Sequence, residues 1–177
     1  MSENRIDPTV AGLFLVAFIT LVFGFLGIQF FQGGSAMDWG LHHVAADLAL
    51  VVGAIFVVLT VSAIRFGNAF AASLFGFVAV SLIAVQYGFL ASPFMFYLLA
   101  IVYIVFALVA LLIGAPKLLV ILLFFVGLLY FFVGLFSNAG IADGDTYALL
   151  FGIFGILAGV VALYMAFALS TQKLPVF

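Results

Sequence analysis

Apolar residues run through this chain in long stretches, unlike the alternating or one-faced patterns of a water-soluble domain. Each stretch is about 20 residues long, which is the length an α-helix needs to cross the ~30 Å hydrocarbon core of a bilayer. The short segments between them contain Gly, Pro, Asn or Asp, which favour turns. The pattern predicts six membrane-spanning helices, at residues 10–31, 43–64, 69–89, 94–113, 118–136 and 147–169.

Composition supports the same fold class. Of the 177 residues, 69% are hydrophobic and 6% are charged, and the mean hydropathy is +1.56. A soluble domain uses about 25% charged residues to face water. We therefore predict an all-α, polytopic membrane protein, a six-helix bundle in which residues 1–177 form a single transmembrane domain. With a net charge of −2, the chain does not show the excess of basic residues that is typical of nucleic-acid-binding proteins.

The basic residues predict the orientation of the bundle. All four Lys and Arg residues fall outside the predicted helices and on one side of the membrane: Arg5, Arg65, Lys117 and Lys173. Cytoplasmic segments carry an excess of Lys and Arg. Both termini are therefore predicted to be cytoplasmic, in a multi-pass protein of the cell (plasma) membrane.

The same distribution excludes several functions. With no Lys or Arg inside a predicted helix, a retinal Schiff base and a voltage-sensing Arg ladder are both ruled out. His42 and His43 are adjacent, so they cannot ligate a haem from facing helices. The chain has no cysteine, which removes thiolate metal sites. We expect no enzyme activity, no catalytic residues, no metal and no cofactor.

One ionisable pair lies near the apolar zone. His43 and Asp47 are four residues apart, so they can meet on one helix face. One interpretation is a proton site at the outer mouth, since His titrates near neutral pH. The alternative is a pair at the start of a helix that reaches out to water.

Small and hydroxyl-bearing residues also recur inside the predicted helices. Gly152, Gly155 and Gly159 share one face of the last helix. Such faces pack membrane helices together, or they leave room for a pore. Hydroxyl residues such as Thr20 and Ser81 are expected to bond to a backbone carbonyl of their own helix, or to line a narrow path.

Four short motifs, in order along the chain, resemble those of one family. DPTVAGL at residues 7–13 is similar to its Asn-Pro-Ala-Pro-Leu-Gly-Leu helix start, and GNAF at 67–70 to its Gly-Asn-Thr-Phe turn. SNAG at 137–140 is similar to Gly-Asn-Ile-Ala-Gly, and ALYMA at 162–166 to Ala-Ile-Tyr-Leu-Ala. These are motifs of the acetate uptake transporters, which include the bacterial succinate–acetate permeases.

The resemblance implies a six-helix protomer in a homo-oligomer, a hexamer, with its own path for acetate or a related small monocarboxylate. It places Asp7, Gly67 and Asn68 in the inner-mouth and turn motifs. The path itself would be lined by Pro8, Gly12, Val16, Val78, Val126 and Asn138. Of these, the three valines stand where the family narrows its path with Phe, Tyr and Leu.

Other positions depart from the family pattern. Phe56 and Ala63 stand where the family carries Gln and Glu, and Asp7 replaces Asn. A carboxylate in a dry pore is costly without a cation or oriented donors. We therefore expect a passive or proton-linked path for a short monocarboxylic acid. The alternatives are a channel for another small neutral solute, such as urea, an amide or ammonia, and a non-transporting membrane scaffold or subunit.

Overall fold

The computed structural model describes residues 8–32, 39–86, 93–138, 144–171 and residue 175. Regular structure in this part of the chain is entirely helical, which confirms the predicted all-α class and its six helices. The helices are α1 (Pro8–Phe31), α2 (Trp39–Arg65), α3 (Ala69–Gln86), α4 (Pro93–Leu112), α5 (Lys117–Asn138) and α6 (Gly144–Thr171).

The observed helices are mostly longer than the apolar stretches. α2 begins at Trp39 instead of residue 43, and α6 extends from 144 to 171 instead of from 147 to 169. Arg65 and Lys117, assigned to loops from the sequence, are the last residue of α2 and the first of α5. Hydropathy marks only the apolar part of a helix, so polar end turns were missed. The predicted end of the third helix at 89 lies outside the described residues.

Five of the described helices are long and apolar enough to cross a membrane. The exception is α3, whose described apolar stretch is the shorter Ala69–Ala84. The chain is therefore a multi-pass membrane protein.

The helices form a ring in chain order. α1 packs against α2 and α6, α2 packs against α3, and α5 packs against both α4 and α6. The ring is completed between α3 and α4 by aromatic side chains. Phe77 contacts Tyr103 and Phe106, with ring centroids 5.2 and 5.8 Å apart, and Phe70 contacts Phe106 at 6.1 Å.

Glycines bring α1 and α6 into backbone contact. A Cβ added to Gly155 would lie 2.7 Å from Cα of Gly24, and one added to Gly152 would lie 2.9 Å from the backbone N of Ile28. Real Cβ atoms essentially never come so close to backbone. The packing interpretation of this glycine face is therefore confirmed. We call this contact the glycine seam.

Two short turns connect neighbouring helices, one between α2 and α3 and the other between α4 and α5. Gly67 and Gly114 have φ values of 73° and 71°, which L side chains rarely adopt. After α2, the N–H groups of Gly67 and Asn68 donate to the carbonyls of Ile64 and Ala63, each at 3.0 Å. The turn after α4 repeats this pattern at Gly114 and Ala115. These are Schellman motifs, which satisfy the last carbonyls of a helix.

Candidate functional site

A cavity of about 50 Å³ lies inside the ring of helices. Among the described residues, its walls come from α1 between residues 13 and 23, α3 between 74 and 82, and α5 between 119 and 130, with Tyr103 from α4. At 1.5 Å per residue, the stretch that α1 contributes is about 15 Å long. The cavity is thus narrow and elongated along the helices.

The structure brings Val16, Val78 and Val126 together in the wall of this cavity. They come from α1, α3 and α5, so three different helices contribute one valine each. Val78 and Val126 are 7% and 6% exposed, so both are buried. We refer to the three as the valine layer. It presents only methyl groups to the interior.

A second layer follows one helical turn along the same helices. Thr20 on α1, Ser81 on α3 and Tyr130 on α5 come three or four residues after the corresponding valines. One turn advances a helix by about 5.4 Å. Tyr103 of α4 joins this group, and we call the four residues the hydroxyl layer. Thr20, Tyr103 and Tyr130 line the cavity, and Ser81 is buried behind them at 2% exposure.

Hydrogen bonds connect the hydroxyl layer to the backbone. Thr20 Oγ1 donates to the Val16 carbonyl at 2.7 Å, and Ser81 Oγ donates to the Phe77 carbonyl at 2.8 Å. This confirms the expected bonding of these hydroxyls within their own helices. The Tyr103 hydroxyl lies near those of Ser81 and Tyr130. The rings of the two tyrosines are stacked, with centroids 5.4 Å apart and planes 6° apart.

Pro8 and Gly12 are buried but are not among the residues that line the cavity. A Cβ on Gly12 would collide with the ring of Phe75, and that ring does line the cavity. Gly12 therefore makes room for Phe75. Phe56, which stands where the family has Gln, is fully buried and packs on the same ring, with centroids 5.6 Å apart.

Of the remaining residues named from the sequence, Gly67, Asn68 and Asp47 are described and do not line the cavity. Gly67 and Asn68 form the turn before α3, where Asn68 Oδ1 accepts a hydrogen bond from the Ala71 N–H at 3.0 Å and caps the helix. Asp47 is exposed on α2. Asp7 and the side chains of His43 and Asn138 fall outside the described residues, so the proposed His43–Asp47 pair stays a prediction.

The cavity is electrically neutral. None of the described residues that line it is charged, and the polar side chains among them are Thr20, Tyr103 and Tyr130. The described part of the chain also has no cluster of three or more His, Cys, Asp or Glu able to hold a metal ion. What the cavity offers a solute is an apolar surface and a few hydroxyl oxygens.

The hydroxyl layer was only partly found from the sequence. Thr20 and Ser81 are polar residues within apolar stretches, whereas nothing in the spacing distinguishes Tyr103 and Tyr130 from the other tyrosines. A signal exists in hindsight: in α1, α3 and α5 a hydroxyl-bearing residue follows the valine after three or four positions. That regularity has meaning only once the three helices are known to surround one cavity.

The chain matches no protein-family model and no curated protein. Among solved structures, it is similar to the bacterial acetate channel SatP, with a TM-score of 0.73 and 16% sequence identity. The match covers 98% of this chain and 100% of the channel. At this identity the likeness shows the fold alone. The chain thus has the helical membrane fold of an acetate channel, as its sequence motifs implied.

Proposed function

We propose that the chain is a membrane channel or transporter for acetate or a related small monocarboxylate, passive or proton-linked. Solute passes through the interior cavity, with one path in each protomer of a homo-oligomer, a hexamer by resemblance to the acetate uptake transporters. The protein lies in the plasma membrane with both termini in the cytoplasm. The fold shared with an acetate channel supports the proposal at the level of architecture.

The observation that carries the proposal is the uncharged cavity between α1, α3 and α5. The valine layer lies in its wall, at the positions where the resemblance implies the narrow part of the path. A volume of about 50 Å³ is a few times the ~10–15 Å³ that one water-sized probe needs. That space suits a solute with only a few non-hydrogen atoms, such as acetic acid.

The chemistry of the cavity favours the neutral acid. An ionised carboxylate loses its hydration on entering an apolar passage, and no cation in the described lining compensates for that loss. The protonated acid loses far less, and its methyl group suits a layer of valine side chains.

The direct test is uptake of labelled acetate into liposomes that contain the purified protein, compared with empty liposomes across pH. A simple carboxyl group titrates at a pH of about 4. We expect the protein-dependent rate at fixed total acetate to rise as the pH falls from 7 towards that value. Uptake equal to that of empty liposomes at every pH would discard the acid as the substrate.

A second candidate is a channel for another small neutral solute, such as urea, an amide or ammonia. The uncharged cavity favours this candidate as much as the neutral acid. Light scattering by liposomes exposed to a panel of such solutes separates the two. Faster swelling in urea or acetamide, without acetate uptake, would favour the second candidate, and no flux of any solute would favour a scaffold or subunit role.

A further inference from the structure

The apolar part of the cavity wall is ordered along the helices. Leu13 on α1, Leu74 on α3 and Leu123 on α5 all line the cavity. Each comes seven residues, or about two helical turns, before the member of the hydroxyl layer on the same helix. We call these three residues the leucine layer. Since successive spans of a bundle cross the membrane in opposite directions, α1, α3 and α5 run in the same direction, and the three leucines lie on the same side of the hydroxyl layer.

The valine layer lies between the other two, three or four residues after the leucines. Seven residues of helix are about 10.5 Å long. Over that distance the described lining from α1, α3 and α5 is apolar, and its polar side chains are Thr20, Tyr103 and Tyr130 of the hydroxyl layer. The cavity is therefore polar at one level and apolar for two helical turns towards the starts of these helices.

This order fixes how an acid would lie in the cavity. A carboxyl group without hydrogen-bond partners is costly to bury, so it belongs at the level of the hydroxyls. Its alkyl group then points along the valine and leucine layers. The carbon–carbon bond of acetic acid is about 1.5 Å long, so its methyl group reaches no further than the valine layer, one turn of about 5.4 Å away. Acetic acid leaves the leucine layer without contact.

We propose that the valine and leucine layers form an alkyl-binding site, and that the preferred solutes of the cavity are acids of three and four carbons, propionic and butyric acid. The inference rests on the proposed function and names the solutes within its class. A longer alkyl group removes more apolar surface of solute and wall from water, which favours binding. The limit on length is the space itself, about 50 Å³.

The test measures how strongly unlabelled acids inhibit the uptake of labelled acetate into liposomes that contain the protein. All acids are compared at one pH without a pH gradient, so that their similar carboxyl groups are protonated to nearly the same extent. Each added CH₂, from acetic to propionic to butyric acid, should lower the half-inhibitory concentration about fourfold. Octanoic acid exceeds the space and should inhibit no better than butyric acid, whereas partitioning into lipid would rise further with length.

Val78→Thr changes the chemistry of the alkyl-binding site while keeping the shape of the side chain. The new hydroxyl can donate to a carbonyl of its own helix, as Thr60 does to the Phe56 carbonyl at 2.7 Å, so we expect the fold to persist. An oxygen in the wall makes the contact with an alkyl group less favourable, and the gain per CH₂ should fall below about twofold. Val80→Thr is the matched control, on the same helix but 66% exposed, and should keep the wild-type gain.

Leu74→Ala tests the far end of the site. Leu74 is half-buried, and its loss removes contacts that only the longer acids reach. The half-inhibitory concentration of butyric acid should rise about four- to tenfold, while that of acetic acid changes less than about twofold. A merely structural role would weaken inhibition by both acids. Leu98→Ala makes the same change at an exposed position of α4 and should alter neither value.

The outcomes separate this inference from the proposed function. If the wild type takes up acetate but the acids inhibit equally, or inhibition keeps rising through octanoic acid, the alkyl-binding site is wrong and the acetate channel stands. If labelled acetate does not enter but labelled butyrate does, and Leu74→Ala slows it, acetate is wrong as the substrate and the alkyl-binding site stands. Absence of uptake of both acids in the wild type would overturn the two proposals together.

Discussion

The glycine seam and the opposite side of the ring hold the bundle together in different ways. At the seam, α1 and α6 touch through backbone atoms, and the gap between Gly155 and Gly24 has no room for even a Cβ. Between α3 and α4 the contact is made by aromatic rings with centroids 5.2 to 6.1 Å apart. At the seam the helices approach closely because glycine has no side chain. Between α3 and α4, large aromatic side chains set the spacing.

The difference explains where the cavity can exist. Helices in backbone contact leave no interior space between them, whereas rings keep α3 and α4 apart at the level of Tyr103. Small residues drive close helix association in membranes, and aromatic pairs prefer centroid distances of about 4.5–7 Å. The seam therefore serves stability, and on the aromatic side one of the contacting rings, that of Tyr103, lines the cavity.

The largest effect is expected from breaking the seam. In Gly155→Ala the new Cβ would meet Cα and N of Gly24 at 2.7 and 2.8 Å, and backbone atoms cannot move aside cheaply. We expect a loss of about 1–3 kcal/mol in stability, as for overpacked cores, measured as a lower melting temperature of the detergent-solubilised protein.

The matched control for this change is Gly76→Ala in α3. Its nearest neighbour would be Cγ2 of Thr60 at 3.5 Å, which is ordinary contact. Its stability should change by less than about 1 kcal/mol in either direction. Equal melting temperatures for the two variants would show that the backbone contact at the seam is not what stabilises the bundle.

The next effect is a loss of flux, expected on the cavity side. Val78→Phe adds a ring inside the valine layer and fills the interior space. If a cost of about 1–3 kcal/mol for overpacking is added to the barrier that the solute crosses, the protein-dependent acetate flux should fall by roughly five- to 150-fold. Val80→Phe adds the same ring to the same helix, at a position that is 66% exposed, and should leave flux intact. Similar flux in both variants would place the path elsewhere.

The smallest effect is expected from Gly12→Ala, which acts on the cavity through Phe75. The added methyl group pushes the end of a flexible side chain, so the ring must move off its position in the cavity wall. An off-rotamer side chain costs about 0.5–1.5 kcal/mol, which corresponds to a two- to tenfold loss of flux. Adding Phe75→Leu should restore flux, and failure to do so would separate Gly12 from the cavity.

Local features of the fold could be predicted from the sequence because a few adjacent residues decide them. The turn at Gly67 and Asn68 needs one residue with positive φ and one helix cap, and both residue types stand there in the sequence. The glycine face of α6 was likewise visible from spacing, since residues three and four apart share a helix face. Neither feature depends on which helix lies next to which.

The candidate site depends on neighbours that spacing does not reveal. Tyr103 and Tyr130 belong to different helices, and their stacking follows from the packing of α4 on α5. The valine layer was placed by the resemblance to a family, since three valines among many in apolar stretches carry no signal of their own. Nor does hydropathy show that Phe56 is fully buried while its neighbours Val57 and Val58 are exposed.

The glycine seam also constrains the order in which the helices can pack while the protein is being synthesised. More than 100 residues separate Phe31, where α1 ends, from Gly144, where α6 begins. A ribosome adds about 5–20 residues each second, so α1 waits roughly 5–20 s in the membrane before synthesis of its partner begins. The two hairpins, α2 with α3 and α4 with α5, can close during that wait through their own short turns. The seam is then among the last contacts to form. Until α6 is present, the glycine face of α1 contacts lipid or another protein.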